Sequence, residues 1–240
     1  MSQAEVARSI PGLAQRMKDG TRRAHRWIER LAFVRSFLHG VLDRDSYQRL
    51  LVDLYYVYGA LESGLQAQRH HPAVAPLVLP MLFRKEALAA DLDFLAARPG
   101  RRSWRMLPMS HSALLYAEHL RHITDHSPEL LVAHCYTRYL GDLSGGQILK
   151  RMAGMALGLD GTGGLSYYDF PQIPDVPAFK KEFRQRLDAL PLSEEQRAAI
   201  VAEAVRAFGL SGALLDAIPA PQRSSRPRQT SAAISNIGTA

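Results

Sequence analysis

The chain has 240 residues, 47% of them apolar and 22% charged, with a single cysteine, Cys135. That length and composition can bury a core without staples, and one cysteine excludes an intramolecular disulfide framework and an all-cysteine metal cluster. The net charge is +7, but Arg223, Arg226 and Arg228 fall in the last stretch, 219–240, which contains no acid. The body therefore carries only about +4, too little to point to a nucleic-acid partner. The stretch 219–240 has few bulky apolar residues and is expected to be a disordered basic tail.

The N-terminus, MSQAEVARSIPGLAQ, has no basic start followed by an apolar run, so no secretory signal is expected. No window is read as approaching the roughly 18 apolar residues of a membrane span. AVAPLVLPMLF is too short and is broken by Pro76 and Pro80. A cytoplasmic protein without a membrane anchor is the expectation.

In chain order, the pattern is helical. Leu50, Leu54, Tyr58, Leu61 and Leu65 recur at three- and four-residue steps, with Asp45 or Ser46 as candidate caps. LFRKEALAADLDFLA and HSALLYAEHLRHITDH predict two further helices. Ser127-Pro128-Glu129 combines a capping hydroxyl, a first-turn proline and an acid, and a helical pattern runs on to about Leu157. GLDGTGGLSYYDFPQIPDVP is rich in glycine and proline and predicts a loop. Phe179, Phe183, Leu187 and Leu190 mark the next helix, and Ser193 with Gln196 predicts a capping box for the last. Neither strand-like alternation nor an internal repeat is visible. The fold class is all-α, with no domain boundary before the tail.

The segment LLVAHCYTRYLGDLSGGQILKRM puts Gly141, Gly145 and Gly146 inside a helical pattern. Each glycine costs about 1 kcal/mol relative to alanine in a helix interior. One reading ends the helix near Gly141 with a loop. The other is a bent helix whose side-chain-free face, with Gly141 and Gly145 four apart, lies against something flat. Periodicity alone leaves both open. The string Leu143–Gln147 also matches the signature peptide of ABC-transporter ATPases, but the chain has neither GxxxxGK[ST] nor alternating strands and helices to support it.

Two segments, GTRRAHRWIE and ELLVAHCYTRYLGDLSGGQILKRM, resemble the hallmark segments of heme oxygenases. SYQRLLVDLYYVYGALE, the HPAVAPL region, FPQIP and FKKEFRQRLDALP are similar to further stretches of that family. The resemblance spans about residues 10 to 218. It implies a single-domain bundle over 1–218, with heme held between a proximal helix and a kinked distal helix. The implied reaction cleaves heme, which is both cofactor (heme b) and substrate, at the α-meso carbon. Biliverdin, carbon monoxide and iron result, with O2 as co-substrate and electrons from a ferredoxin or an NAD(P)H-dependent reductase. A monomer is expected. The competing expectation is a heme-binding or heme-transfer protein of the same fold without catalysis.

The resemblance makes His25 the iron ligand. Glu29 lies one helical turn later on the same face, where a carboxylate can bond one imidazole nitrogen and leave the other for iron. The family pattern assigns Asp142 to organising distal water, with Tyr58, Thr137 and Arg138 in the surrounding hydrogen-bond network. Gly141 limits the space over the heme, and Tyr136 lines the pocket. Thr21, Gly145, Gly146 and Phe208 complete the heme-binding set. Lys18, Arg22, Lys180 and Arg184 are the candidate partners of the heme propionates. Where many relatives have an asparagine after Phe208, this chain has Ser211, whose hydroxyl offers fewer bonds and implies a rearranged water network. His119, His122 and His126 share one helical face as in a metal site, but a solvated basic face is expected there, and His134 is read as a packing residue.

Overall fold

The computed structural model describes residues 11–97, 103–159, 161 and 163–219. Nearly all of the expected tail, from Ala220 on, lies outside them, as do residues 1–10. Among the described residues the regular structure is helical throughout. The helices are α1 (Leu13–Ile28), α2 (Ala32–Leu38), α3 (Arg44–Ala67), α4 (Lys85–Ala96), α5 (His111–His126), α6 (Leu131–Cys135), α7 (Gly141–Leu157), α8 (Val176–Asp188) and α9 (Glu194–Asp216).

The apolar stripe of α3 is the spine of the core. Leu50, Leu54, Tyr58, Leu61 and Leu65 are all buried, each stabilising the fold by about 1.5–3 kcal/mol for an aliphatic side chain. Helix α3 packs against α4 and α5, while α1 packs against α9 and α8, and α6 against α9. The start of α1 has no capping side chain of its own. Its Ala14 N–H is met instead by the Asp188 carboxylate from the end of α8, at 2.8 Å. A Cβ on Gly12 would lie 2.5 Å from that carboxylate, so a side chain there would displace the Asp188 cap.

Several local expectations are modified. The α3 cap is Asp43, whose side chain accepts from the Ser46 N–H, rather than Asp45 or Ser46. Pro128 does open a turn, but it is a short 3-10 turn (Pro128–Leu130) to which the Ser127 side chain contributes no cap. The capping box of Ser193 and Gln196 forms as expected. Among the described residues of 158–175 the chain is mostly loop, with one 3-10 turn, Ser166–Tyr168. Helix α9 is long and apolar enough by length and composition to span a membrane, which corrects the reading that no window comes near that length. Its Ile200, Ala204, Ala207 and Leu214 are buried in the core, a requirement that also selects apolar residues.

The helix does not end at Gly141, because α7 runs through all three glycines. From Leu131 to Leu157 the backbone stays helical, so no loop follows Gly141. The irregularity lies one turn earlier, where Tyr136–Leu140 form a π-helical turn between α6 and α7. Such single π turns re-aim side chains within a helix and recur at functional sites. Here the turn carries Arg138 and delivers the three glycines in regular helix.

Candidate functional site

A cavity of about 530 Å³ opens between α1 on one side and the π turn and start of α7 on the other. Lys18, Thr21, Arg22 and His25 line it from α1; Tyr136, Thr137, Gly141 and Ser144 face them; Arg184 and Phe208 close the ends. A second, more apolar cavity of about 220 Å³ adjoins it, sharing Thr137, Gly141 and Phe208 and lined also by Arg138, Asp142 and Gly146. Together they have the size and the mixture of apolar wall and few polar groups that suit a cofactor-sized ligand. A Cβ placed on Gly141 or Gly145 would meet nothing within 4 Å. The backbone is therefore bare at both; Gly141 lines both cavities and Gly146 the smaller one, while Gly145 lines neither.

On the α1 side, His25 Nδ1 lies 3.4 Å from Glu29 Oε1, one turn further along at the C-cap of α1. The ring of Phe208 lies 5.8 Å from the imidazole, tilted by 60°. Four cations, Lys18, Arg22, Arg26 and Arg184, line this cavity. Arg22 pairs with Asp19 on its own helix. Lys180 is not a lining residue, but its Nζ reaches Ser144 Oγ at 3.4 Å, bridging α8 to α7. Thr21 is buried, its hydroxyl donating to the Met17 carbonyl at 2.8 Å.

On the distal side the polar groups form a closed ring. Tyr58 donates to Asp142 Oδ2, and the Tyr167 hydroxyl donates to Asp142 Oδ1 at 2.6 Å. Behind them Arg138 donates to both phenols, from Nε to Tyr58 at 3.2 Å and from Nη2 to Tyr167 at 3.4 Å. Burial pushes the Asp142 carboxyl above the usual carboxylate range, against the pull of Arg138 and the two phenols. Burial also raises both tyrosines well above their ordinary value, so they remain donors. The Ser211 hydroxyl is 3.5 Å from Arg138 Nη1, at the outer limit of a hydrogen bond. The guanidinium is thus held mainly by the two tyrosines, and Ser211 contributes little.

Tyr167 was not legible as a site residue. It sits in the glycine- and proline-rich loop, where no periodicity marks a buried side chain. Two buried charges from other elements fix it. The Asp91 carboxylate on α4 accepts the Ser166 and Tyr167 backbone N–H groups, each at 2.8 Å. Arg84 donates to the Asp169 carbonyl of the same loop and to the Met81 and Leu82 carbonyls next to it in the chain. The histidine expectation also changes. His122 and His126 stack on each other at the surface, with ring centroids 4.4 Å apart, as a solvated face would. His119 does not join them; it turns inward to Glu203 on α9, at 2.6 Å. His134 is buried, and it is more than a packing residue, since it bonds the same carboxylate at 3.0 Å.

The heme oxygenase family model matches residues 11–217. The heme oxygenase of Pyropia yezoensis is 43% identical over 200 residues, covering 83% of this chain and 82% of the relative. Heme oxygenase 1 of Synechocystis is 38% identical over 95% of this chain and 97% of its own length. The crystal structure of that cyanobacterial protein in complex with heme superposes with a TM-score of 0.81 at 38% identity, covering 86% of this chain and 92% of the other. The heme oxygenase structure from Leptospira interrogans gives the same TM-score and identity over 86% and 100% of the two chains. Taken with the bare helix face, the histidine opposite it and the buried tyrosine–aspartate ring, these matches establish that the chain belongs to the heme oxygenase family.

Proposed function

We propose that this chain oxidatively cleaves heme at the α-meso carbon, consuming O2 and electrons and yielding biliverdin, carbon monoxide and iron. The observation that carries the reading is the Asp142 ring. A carboxylate that accepts from two phenols, with a guanidinium behind it, is more than ligand binding needs. Bound heme supplies the redox-active iron and the carbon framework that is opened.

The chain's own residues supply the rest. His25 would hold the iron through Nε2, with the Glu29 carboxylate 3.4 Å from its Nδ1 as the outer partner. Lys18, Arg22, Lys180 and Arg184 meet the carboxylates of the ligand at the mouth and set its rotation. Rotation in turn selects which meso carbon faces the distal side. Gly141 and Gly145 would let the ring approach the bare backbone of α7. Asp142, kept in place by Tyr58 and Tyr167, orients water and passes protons at its carboxylate. Thr137 lines both cavities and Tyr136 the larger one. The cationic mouth also suits an acidic electron donor such as a ferredoxin or a reductase, and the chain acts in the cytoplasm as a monomer.

The test is a titration of the purified chain with hemin, followed by reduction with ascorbate or ferredoxin under air. Loss of the Soret band with growth of biliverdin absorbance is expected. His25→Ala should change the axial-ligand signature of the bound heme. A Soret band that persists with no biliverdin would leave a heme-binding protein of the same fold; an unchanged His25→Ala spectrum would move the ligand elsewhere.

A further inference from the structure

His119 on α5, His134 on α6 and Glu203 on α9 converge from three helices outside the heme cavity. One ligating atom from each lies within 4.8 Å of the others. Glu203 Oε1 accepts from both imidazole Nε2 atoms, at 2.6 Å from His119 and 3.0 Å from His134. His134 is fully buried and Glu203 nearly so, while His119 keeps a narrow edge to solvent. The second nitrogen of His134 is also engaged: Nδ1 lies 3.0 Å from the Tyr116 hydroxyl.

We propose that His119, His134 and Glu203 form a binding site for a divalent first-row transition ion, with Zn(II) as the preferred occupant. Two imidazoles and a carboxylate are a recurrent three-ligand zinc set, with water in the fourth position. The Nε2 atoms and the carboxylate oxygen already point at one another, so the ion takes the place of the two N–H···O bonds. Each imidazole then carries its proton on Nδ1. For His134 that proton faces the Tyr116 hydroxyl, the outer partner that metal-bound histidines need. The ion and its water enter along the edge where His119 meets solvent. Such an ion would tie α5, α6 and α9 together directly behind the π turn.

The experiment uses the full chain, treated with chelator and then titrated with Zn(II) in equilibrium dialysis, and with Co(II) as a spectroscopic probe. One equivalent bound with tetrahedral Co(II) absorption is expected. His119→Gln keeps an N–H donor to Glu203 but removes the ligand, so it should fold normally and lose the site. Tyr116→Phe should weaken binding roughly tenfold or more. Replacing the stacked surface pair, His122→Ala with His126→Ala, should leave the affinity unchanged. No stoichiometric binding, binding that survives His119→Gln, or binding that vanishes with the surface pair would each overturn the assignment. In the first case the three side chains form only a buried hydrogen-bonded triad.

Discussion

Replacing Gly145 by alanine should move stability and heme affinity in opposite directions. Gly145 lies within α7, and a Cβ built on it meets nothing within 4 Å. In the heme-free chain the new methyl group thus costs no contact. It recovers the helix propensity that glycine forfeits, about 1 kcal/mol, and so raises Tm by roughly 2–4 °C for a domain of this size. If heme lies along this face of α7 as proposed, the same methyl group meets the ring. Forcing an extra carbon into a filled site costs typically about 1–3 kcal/mol, or a roughly five- to hundredfold loss of affinity. Thermal and urea unfolding of the heme-free variant, followed by circular dichroism, measures the first effect. Hemin titration by Soret absorbance measures the second. If stability rises and heme binds as tightly as in the unsubstituted chain, α7 is not the face over the heme. If the heme-free variant is destabilised, the space beside Gly145 is not free.

Three further outcomes are expected. Asp142→Ala should still bind heme but lower the rate of biliverdin formation by about a hundredfold or more, with Tyr167→Phe, which removes one of its two phenol donors, falling in between; unchanged rates in both would remove the ring from the mechanism. Asp91→Ala leaves the buried Tyr167 N–H without its acceptor and frees the exposed Ser166 N–H to solvent, a cost of about 1–3 kcal/mol in urea unfolding, and Asp91→Asn should recover part of it. Burial raises the Glu62 carboxyl to about 7, against the backbone N–H groups of Arg84 and Lys85 that it accepts. Its folded value lies above its unfolded one, so folding is favoured while it is protonated, and stability is lost as pH rises from about 4.5 through about 7. Glu62→Gln keeps an acceptor without the charge, so its stability relative to the parent should grow across that window in urea melts; a difference independent of pH would show that Glu62 is ionised throughout.

By itself the sequence determined the helical class, the buried stripe of α3, the capping box of α9 and the family, because each is written in local spacing or in contiguous strings of residues. It also singled out His25, Glu29, Asp142 and the glycines, since these lie on just two segments whose order along the chain preserves their pattern. It could not decide between a broken and a bent glycine helix. That choice turns on backbone hydrogen bonding in Tyr136–Leu140, which shifts by one residue without any glycine or proline to signal it. The tertiary structure alone brought Tyr167 to Asp142, 25 residues apart, through a loop anchored by Asp91 and Arg84. It alone parted His119 from His122 and His126, because the partner that turns it inward, Glu203, arrives on another helix 84 residues away. Helical spacing says which side chains share a face. Which of those faces is dry, and what charge waits across it, is set by elements distant in the chain.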